Sequence, residues 1–169
     1  MTPTSLETLM YEVGQLFLYP TLALIGLLFV HAFWALGDFA MQAWLRARHP
    51  MESGRGYALV AWARRHDEDD AEALDVAAHR LLERARIATR VAPMLGLVAT
   101  MIPMGPALKS LSGGDLANVG ENLTIAFSAV ILALIAASIT FWVVNVRRRW
   151  LAEELVWLGR MRAARSAAA

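Results

Sequence analysis

The stretch IAFSAVILALIAASITFWVV, residues 125–144, carries no charge over twenty positions, and Arg147-Arg148-Arg149 follows it closely. A helix needs roughly 17–25 apolar residues to cross a hydrocarbon core about 30 Å thick, so this stretch reads as a membrane span. Two similar runs precede it, residues 16–36 and 91–108. The three runs contain no Asp, Glu, Lys or Arg, and His31 is their one histidine. All sixteen Lys and Arg residues fall outside them, fifteen in residues 46–90 and 147–165. Cytoplasmic loops collect Arg and Lys, so the pattern predicts an all-α membrane protein with three transmembrane helices. Its basic helical extensions are cytoplasmic, its N-terminus and the loop at residues 111–122 lie outside, and its C-terminus is cytoplasmic. Lys109 is the single cation outside this scheme, near an outer loop that carries Asp115 and Glu121.

Composition agrees. With 57% apolar and 18% charged residues, the 169-residue chain is too apolar for an ordinary soluble domain. The net charge of +1 conceals the asymmetry along the chain, and the arginines are explained by topology without invoking nucleic acid. Cysteine is absent, which excludes disulfides, thiolate metal sites and Cys nucleophiles. Residues 1–15 contain no Lys or Arg and no small-residue cleavage site follows the first run, so it reads as a retained span.

The sequence divides into an N-terminal segment with the first span (1–48), a cytoplasmic helical segment (49–90), the second and third spans (91–145), and a C-terminal helix and tail (146–169). Aromatic rings suited to the interface bracket the first span, with Tyr11, Phe17 and Tyr19 at one end and Trp34 and Trp44 at the other. Its helix is expected to run to Arg48, where His49, Pro50 and Ser53-Gly54-Arg55-Gly56 break it. A short amphipathic helix over residues 57–65 is placed near the membrane surface. Asp69 and Glu72 read as a capping box that opens the next helix, whose apolar stripe is Leu74, Ala77, Ala78, Leu81, Leu82, Ala85 and Ala88. This helix continues into the second span, with Pro93 as a kink, and the third span continues past Trp150 into an amphipathic tail with frayed final alanines.

Chemistry concentrates in the second and third spans. Gly96 and Thr100 are four residues apart on one face, with Ala92 in the same row, which permits close helix approach. Thr100 has two readings: a hydroxyl bonded back to the Gly96 carbonyl, or the polar lining of a water-accessible path.

The run Ala92-Pro93-Met94-Leu95-Gly96-Leu97-Val98-Ala99-Thr100 resembles the second-span motif of the MotA/TolQ/ExbB proton channel family, with Ala99 in place of its second glycine. The third-span motif is matched less closely. It sets Ala126 at the opening Ala, Ala129 and Val130 at a Thr pair, Ala133 and Leu134 at Gly-Leu, and Asn145 at the closing Asn. The family's acidic residue one turn before the Thr pair is replaced by Ile125. Thr124, Ser128, Ser138 and Thr140 are the nearby hydroxyls, and Ser128 is the best substitute, with a back-bond to the Thr124 carbonyl as its alternative role.

The resemblance implies a homopentamer in the bacterial or archaeal inner membrane, set in lipid around a single-span partner of the ExbD/TolR/MotB type that carries an acidic residue. Such an assembly couples a proton or sodium gradient, most simply H+, to transport or mechanical work. Thr100, Ser128, Thr124 and Ser138 would then line the ion path or touch the partner, and Gly96, Ala92, Ala133 and Asn145 would serve helix packing. The alternative from another class is a non-conducting scaffold subunit of a transporter or cofactor-uptake complex, which the missing Thr pair favours.

An enzyme is not expected: no Gly-rich phosphate loop, nucleophile elbow or Ser/His/Asp set occurs. His31 and Asp38, seven apart, are the residual candidates for a proton relay or a small membrane enzyme. No cofactor or metal is expected, because the four histidines, His31, His49, His66 and His79, lack ligand spacing and residues 67–70 lack the spaced oxygens of a calcium loop.

Overall fold

The computed structural model describes residues 3–168. Its elements are α1 (Pro3–Leu16), α2 (Leu18–Arg48), a 3-10 turn (Met51–Ser53), α3 (Ala58–His66), α4 (Ala71–Ser112) and α5 (Leu116–Ala168), and no strand occurs among the described residues. Three helical stretches are long and apolar enough to cross a membrane, Thr8–Arg48, Ala71–Ser112 and Leu116–Ala168. They contain the apolar runs read from the sequence. With 42 and 53 residues, α4 and α5 far exceed the roughly 17–25 that a bilayer requires. Each therefore carries a polar extension.

Local chemistry sets the breaks. Pro20 has no N–H to donate to the Leu16 carbonyl, and the helix is interrupted at Phe17 between them. Pro50 ends α2, and Gly54 and Gly56 adopt the left-handed conformation, with φ of 70° and 83°. Gly56 is also pressed on α2: an added Cβ would lie 2.9 Å from Leu45 Cβ and 3.0 Å from the Arg46 nitrogen. The α4 cap falls one residue later than the sequence suggests. The Asp70 carboxylate accepts the Ala73 N–H at 3.2 Å, while Asp69 pairs with Arg165 at 2.8 Å.

The expected loop at residues 111–122 shrinks to three non-helical residues, 113–115. Gly114 turns left-handed with φ of 77°, and the Asp115 carboxylate caps α5 by accepting the Asn118 N–H at 3.2 Å. Helix α5 runs through Ala168, so Ala167 and Ala168, expected to fray, are helical, and Ala169 lies outside the described residues.

The chain forms two units, Met1–Phe33 with Ala88–Ser138, and Trp34–Ile87 with Ile139–Ala169. In the first, Ile25, Ala99, Ala129 and Ala133 make a buried cluster, flanked by Leu22 and Leu95. Its helices approach closely because the contact side chains are small. A Cβ on Gly96 would lie 3.0 Å from Ala133 Cβ and 3.2 Å from Val130 Cγ2. Ala92, in the same row, is 1% exposed.

In this same unit, the structure also answers what becomes of a carbonyl that a proline strips of its partner. Pro106 cannot donate to the Ile102 carbonyl, and the Gln15 side-chain amide donates to it instead at 3.3 Å. Gly105 faces the Tyr11 ring, 3.6 Å from where a Cβ would sit, an ordinary contact distance.

The second unit packs Leu59 and Ala63 of α3, Leu74, Ala77, Ala78 and Leu82 of α4, and Leu151 of α5 into one cluster. Thus α3 buries its apolar face against α4 and α5. Along the α4 stripe Leu81 departs from expectation and is exposed.

A double-mutant cycle tests the role of Gln15. Gln15→Leu is expected to cost about 1–3 kcal/mol by stranding the Ile102 carbonyl. In a Pro106→Ala background the new backbone N–H takes that carbonyl, so the same change should cost little. Thermal unfolding of the four proteins in one detergent measures the difference, and equal losses in both backgrounds would refute the assignment.

Candidate functional site

Helix α5 has two chemically distinct faces in the region of the third span. One is packed: Ala126, Ala129, Ala133, Ala136, Ala137, Thr140 and Val143 are each at most 8% exposed. The other bears Thr124, Ser128, Ser138 and Asn145, all exposed. At about 100° per residue these polar positions fall in a sector about 100° wide, opposite the alanines. Three hydroxyls and Asn145 therefore lie, among the exposed Phe127, Ile131, Ile135 and Trp142, on the side of the helix that this chain does not cover.

Each of these side chains bonds to its own helix. Thr124 Oγ1 donates to the Gly120 carbonyl, Ser128 Oγ to Thr124 and Ser138 Oγ to Leu134, all at 2.8 Å. Asn145 Nδ2 donates to the Phe141 carbonyl at 3.0 Å. The hydroxyl protons are thereby used, and the oxygen lone pairs remain. This side of the helix offers acceptors to whatever faces it.

Thr100 lies at the margin of the packed face of α4, partly exposed, and its hydroxyl donates to the Leu97 carbonyl at 2.7 Å and not to Gly96. Thr100 and Ser128 each have a partner within their own helix, so no hydrogen bond ties them to one another. Ala129 and Val130, at the positions that the resemblance assigns to a Thr pair, are packing residues: Ala129 is 4% exposed, and Val130 meets Gly96.

The polar centre of the second unit was not legible in the sequence. Glu154 is fully buried, and its Oε2 accepts the backbone N–H groups of Leu59 at 2.7 Å and Val60 at 3.2 Å. These are the second and third residues of α3, whose own cap residue, Tyr57, supplies no side-chain bond. Glu154 thus performs the N-cap role from a distant helix, where a carboxylate also suits the positive end of the helix dipole. Its Oε1 accepts from Arg46 Nη2.

Arg46 in turn donates to the Gly56 carbonyl at 3.0 Å, and its guanidinium lies 4.4 Å from the Tyr57 ring centroid and 4.5 Å from that of Trp150. Trp150 stacks on Phe39 at 4.9 Å, with 7° between the planes. Arg46 stands on the extension of α2 beyond the apolar run. Burial lowers its pKa, partly opposed by Tyr57 and Glu153, and a guanidinium remains protonated at any ordinary pH. No early signal announced this knot. Arg46 looked topological, and Glu154 looked like one more acid of the tail.

Asp38 accepts from Arg147 Nη2 and from Gln42 Nε2, the latter at 3.3 Å, so it is engaged in a structural ion pair. Among the described residues there is no cluster of three or more His, Asp or Glu suited to a metal.

These features define a multi-pass helical membrane subunit whose third span shows one packed and one hydroxyl-bearing face. Residues 57–157, more than half of the chain, match the MotA/TolQ/ExbB proton channel family, and the chain belongs to it. No curated protein and no solved structure matches it.

Removing Glu154 should leave the largely buried Arg46 with only the more exposed Glu153 carboxylate, 4.0 Å away, and the α3 amides without an acceptor. Glu154→Ala is expected to cost about 3–5 kcal/mol. Hydrogen exchange should localise the loss, with the Leu59 and Val60 amides exchanging faster by at least about tenfold. Unchanged protection there would remove the capping role.

Proposed function

We propose that this proton-channel-family subunit assembles as a homopentamer around a single-span partner carrying an acidic side chain, and couples an ion gradient, most simply protons, to work elsewhere. The observation that carries the reading is the presence of hydroxyls on the face of α5 turned away from the chain's own packing. In a ring of subunits that face is available to a lumen. Its protons are bonded within the helix, so it presents acceptors, which suit a protonated carboxyl or water.

A proton crossing about 100 mV releases roughly 2.3 kcal/mol. The three apolar runs contain no Asp or Glu, so the titrating group resides on the partner. Ser128 and Thr124 would meet it, with Ser138 further along the helix and Thr100 at the edge of the neighbouring face. Asn145 shares the exposed face, which adds a polar contact to the packing role first assigned to it. The protein would itself catalyse no reaction and hold no cofactor. The distribution of arginine supports an inner-membrane orientation with the N-terminus and residues 113–115 outside and the C-terminus in the cytoplasm.

One observation favours a second reading, a non-conducting scaffold. Ala129 is buried and Val130 packs on Gly96, at the positions where the family motif has its Thr pair. Proton flux into liposomes holding the purified complex separates the two readings. Ser128→Val is expected to lower gradient-dependent flux at least about tenfold, and Thr100→Val to lower it less, with the ring intact by size and imaging. Flux no greater than in empty vesicles for the unaltered complex would favour the scaffold. Because the chain lacks cysteine, Ser112→Cys and Ser166→Cys give clean reporters of orientation. An impermeant thiol reagent should label the first from outside and the second only in opened cells, and the reverse pattern would overturn the topology.

A further inference from the structure

The second unit holds a cavity of about 210 Å³ in which Asp38, Gln42, Arg46, Arg147 and Glu154 meet apolar side chains that include Leu82 and Leu151. Its formal charges cancel: Arg147 donates to Asp38, and Arg46 donates to Glu154. One donor is left over. Arg147 Nε is buried and has no hydrogen-bond acceptor in the protein. Both contacts to Asp38 use Oδ2, so Oδ1 remains an acceptor on the same side chain.

The charge pattern selects the occupant. An anion would meet the carboxylates of Asp38 and Glu154 while both cations are already paired. A cation would meet Arg46 and Arg147, and an apolar group would leave Nε without an acceptor. A small neutral acceptor that can also donate satisfies the site, and water is that molecule. Water needs two to four polar partners, and the cavity is far larger than a single water requires. The Asp38 side chain is 50% exposed, which keeps the site in exchange with solvent.

We infer that this cavity is a water-binding site in which water accepts from Arg147 Nε and donates towards Asp38 Oδ1. Bound water gives the Arg147 guanidinium a second ligand, so its direct contact with Asp38 can be exchanged for a bridged one without stranding a buried donor. The contact between α2 and α5 here is a wet joint at the edge of the apolar cluster that holds Leu59, Leu74, Leu82 and Leu151. This inference does not depend on ion conduction.

Hydroxyl-radical footprinting of the purified full-length protein tests it without any substitution. Leu82 and Leu151 line the cavity and are 4% and 6% exposed, while Leu59 and Leu74, in the same apolar cluster, are 0% and 5% exposed and do not line it. Leu82 and Leu151 should be modified at least about tenfold faster, because radicals form from water bound beside them. Equal rates would overturn the proposal. A structure that resolves solvent should show density about 2.7–3.2 Å from Arg147 Nε. A protein acceptor or a lipid headgroup in that place would overturn it as well. In Arg147→Lys, which lacks the ε N–H but keeps a cation for Asp38, that density should vanish; its persistence unchanged would count against the assignment.

Discussion

The close seam between α4 and α5 fixes what every other side chain of the third span can do. Gly96 faces Val130 and Ala133 so closely that a single added methyl would sit 3.0 Å from a neighbouring carbon. Ala99 is wholly buried beside Ala129 and Ala133. Little hydrophobic driving force acts between helices in lipid, so such seams are held by tight van der Waals contact, which only small residues allow. Once the alanine face of α5 is committed to this seam, helix geometry sends Thr124, Ser128 and Ser138 to the other side. The availability of the hydroxyls is a consequence of where the alanines pack.

A different interaction organises the second unit. A fully buried carboxylate, Glu154, holds a buried arginine and the first turn of α3 together. Such a charge persists in an apolar setting only when its lone pairs are satisfied, and here two backbone amides and a guanidinium satisfy them. The same arrangement explains Gly56, whose carbonyl accepts from Arg46 and whose α-carbon lies against α2 with no room for a side chain. The loop, the short helix and the long helix are positioned by one polar centre.

Prolines illustrate how the two levels of description meet. Pro20 and Pro106 each deprive a specific carbonyl of its donor, and this much is visible in the chain. One carbonyl coincides with a break at Phe17, whereas the other is taken by the amide of Gln15, 87 positions away. The difference depends on what folding brings near, which periodicity does not record. The capping of α4 by Asp70 in place of Asp69 has the same origin, since Arg165 and Arg162 hold the earlier residue.

By itself, the sequence determined the solvent and the elements: long uncharged runs require a membrane, and arginine clusters, prolines and glycines mark where the helices leave it or stop. Its small-residue motif also marked the seam at Gly96 and identified Ser128 with its bond to the Thr124 carbonyl. Only the tertiary structure decided which faces meet, and with them the burial of Ala129, the contact of Val130 with Gly96, the exposure of Thr124, Ser128 and Ser138, and the pairing of Arg46 with Glu154. Spacing along a helix gives the angle between side chains but no absolute direction. That direction is set by contacts between residues far apart in the chain, whose types, an arginine and a glutamate among many, are common on any exposed helix.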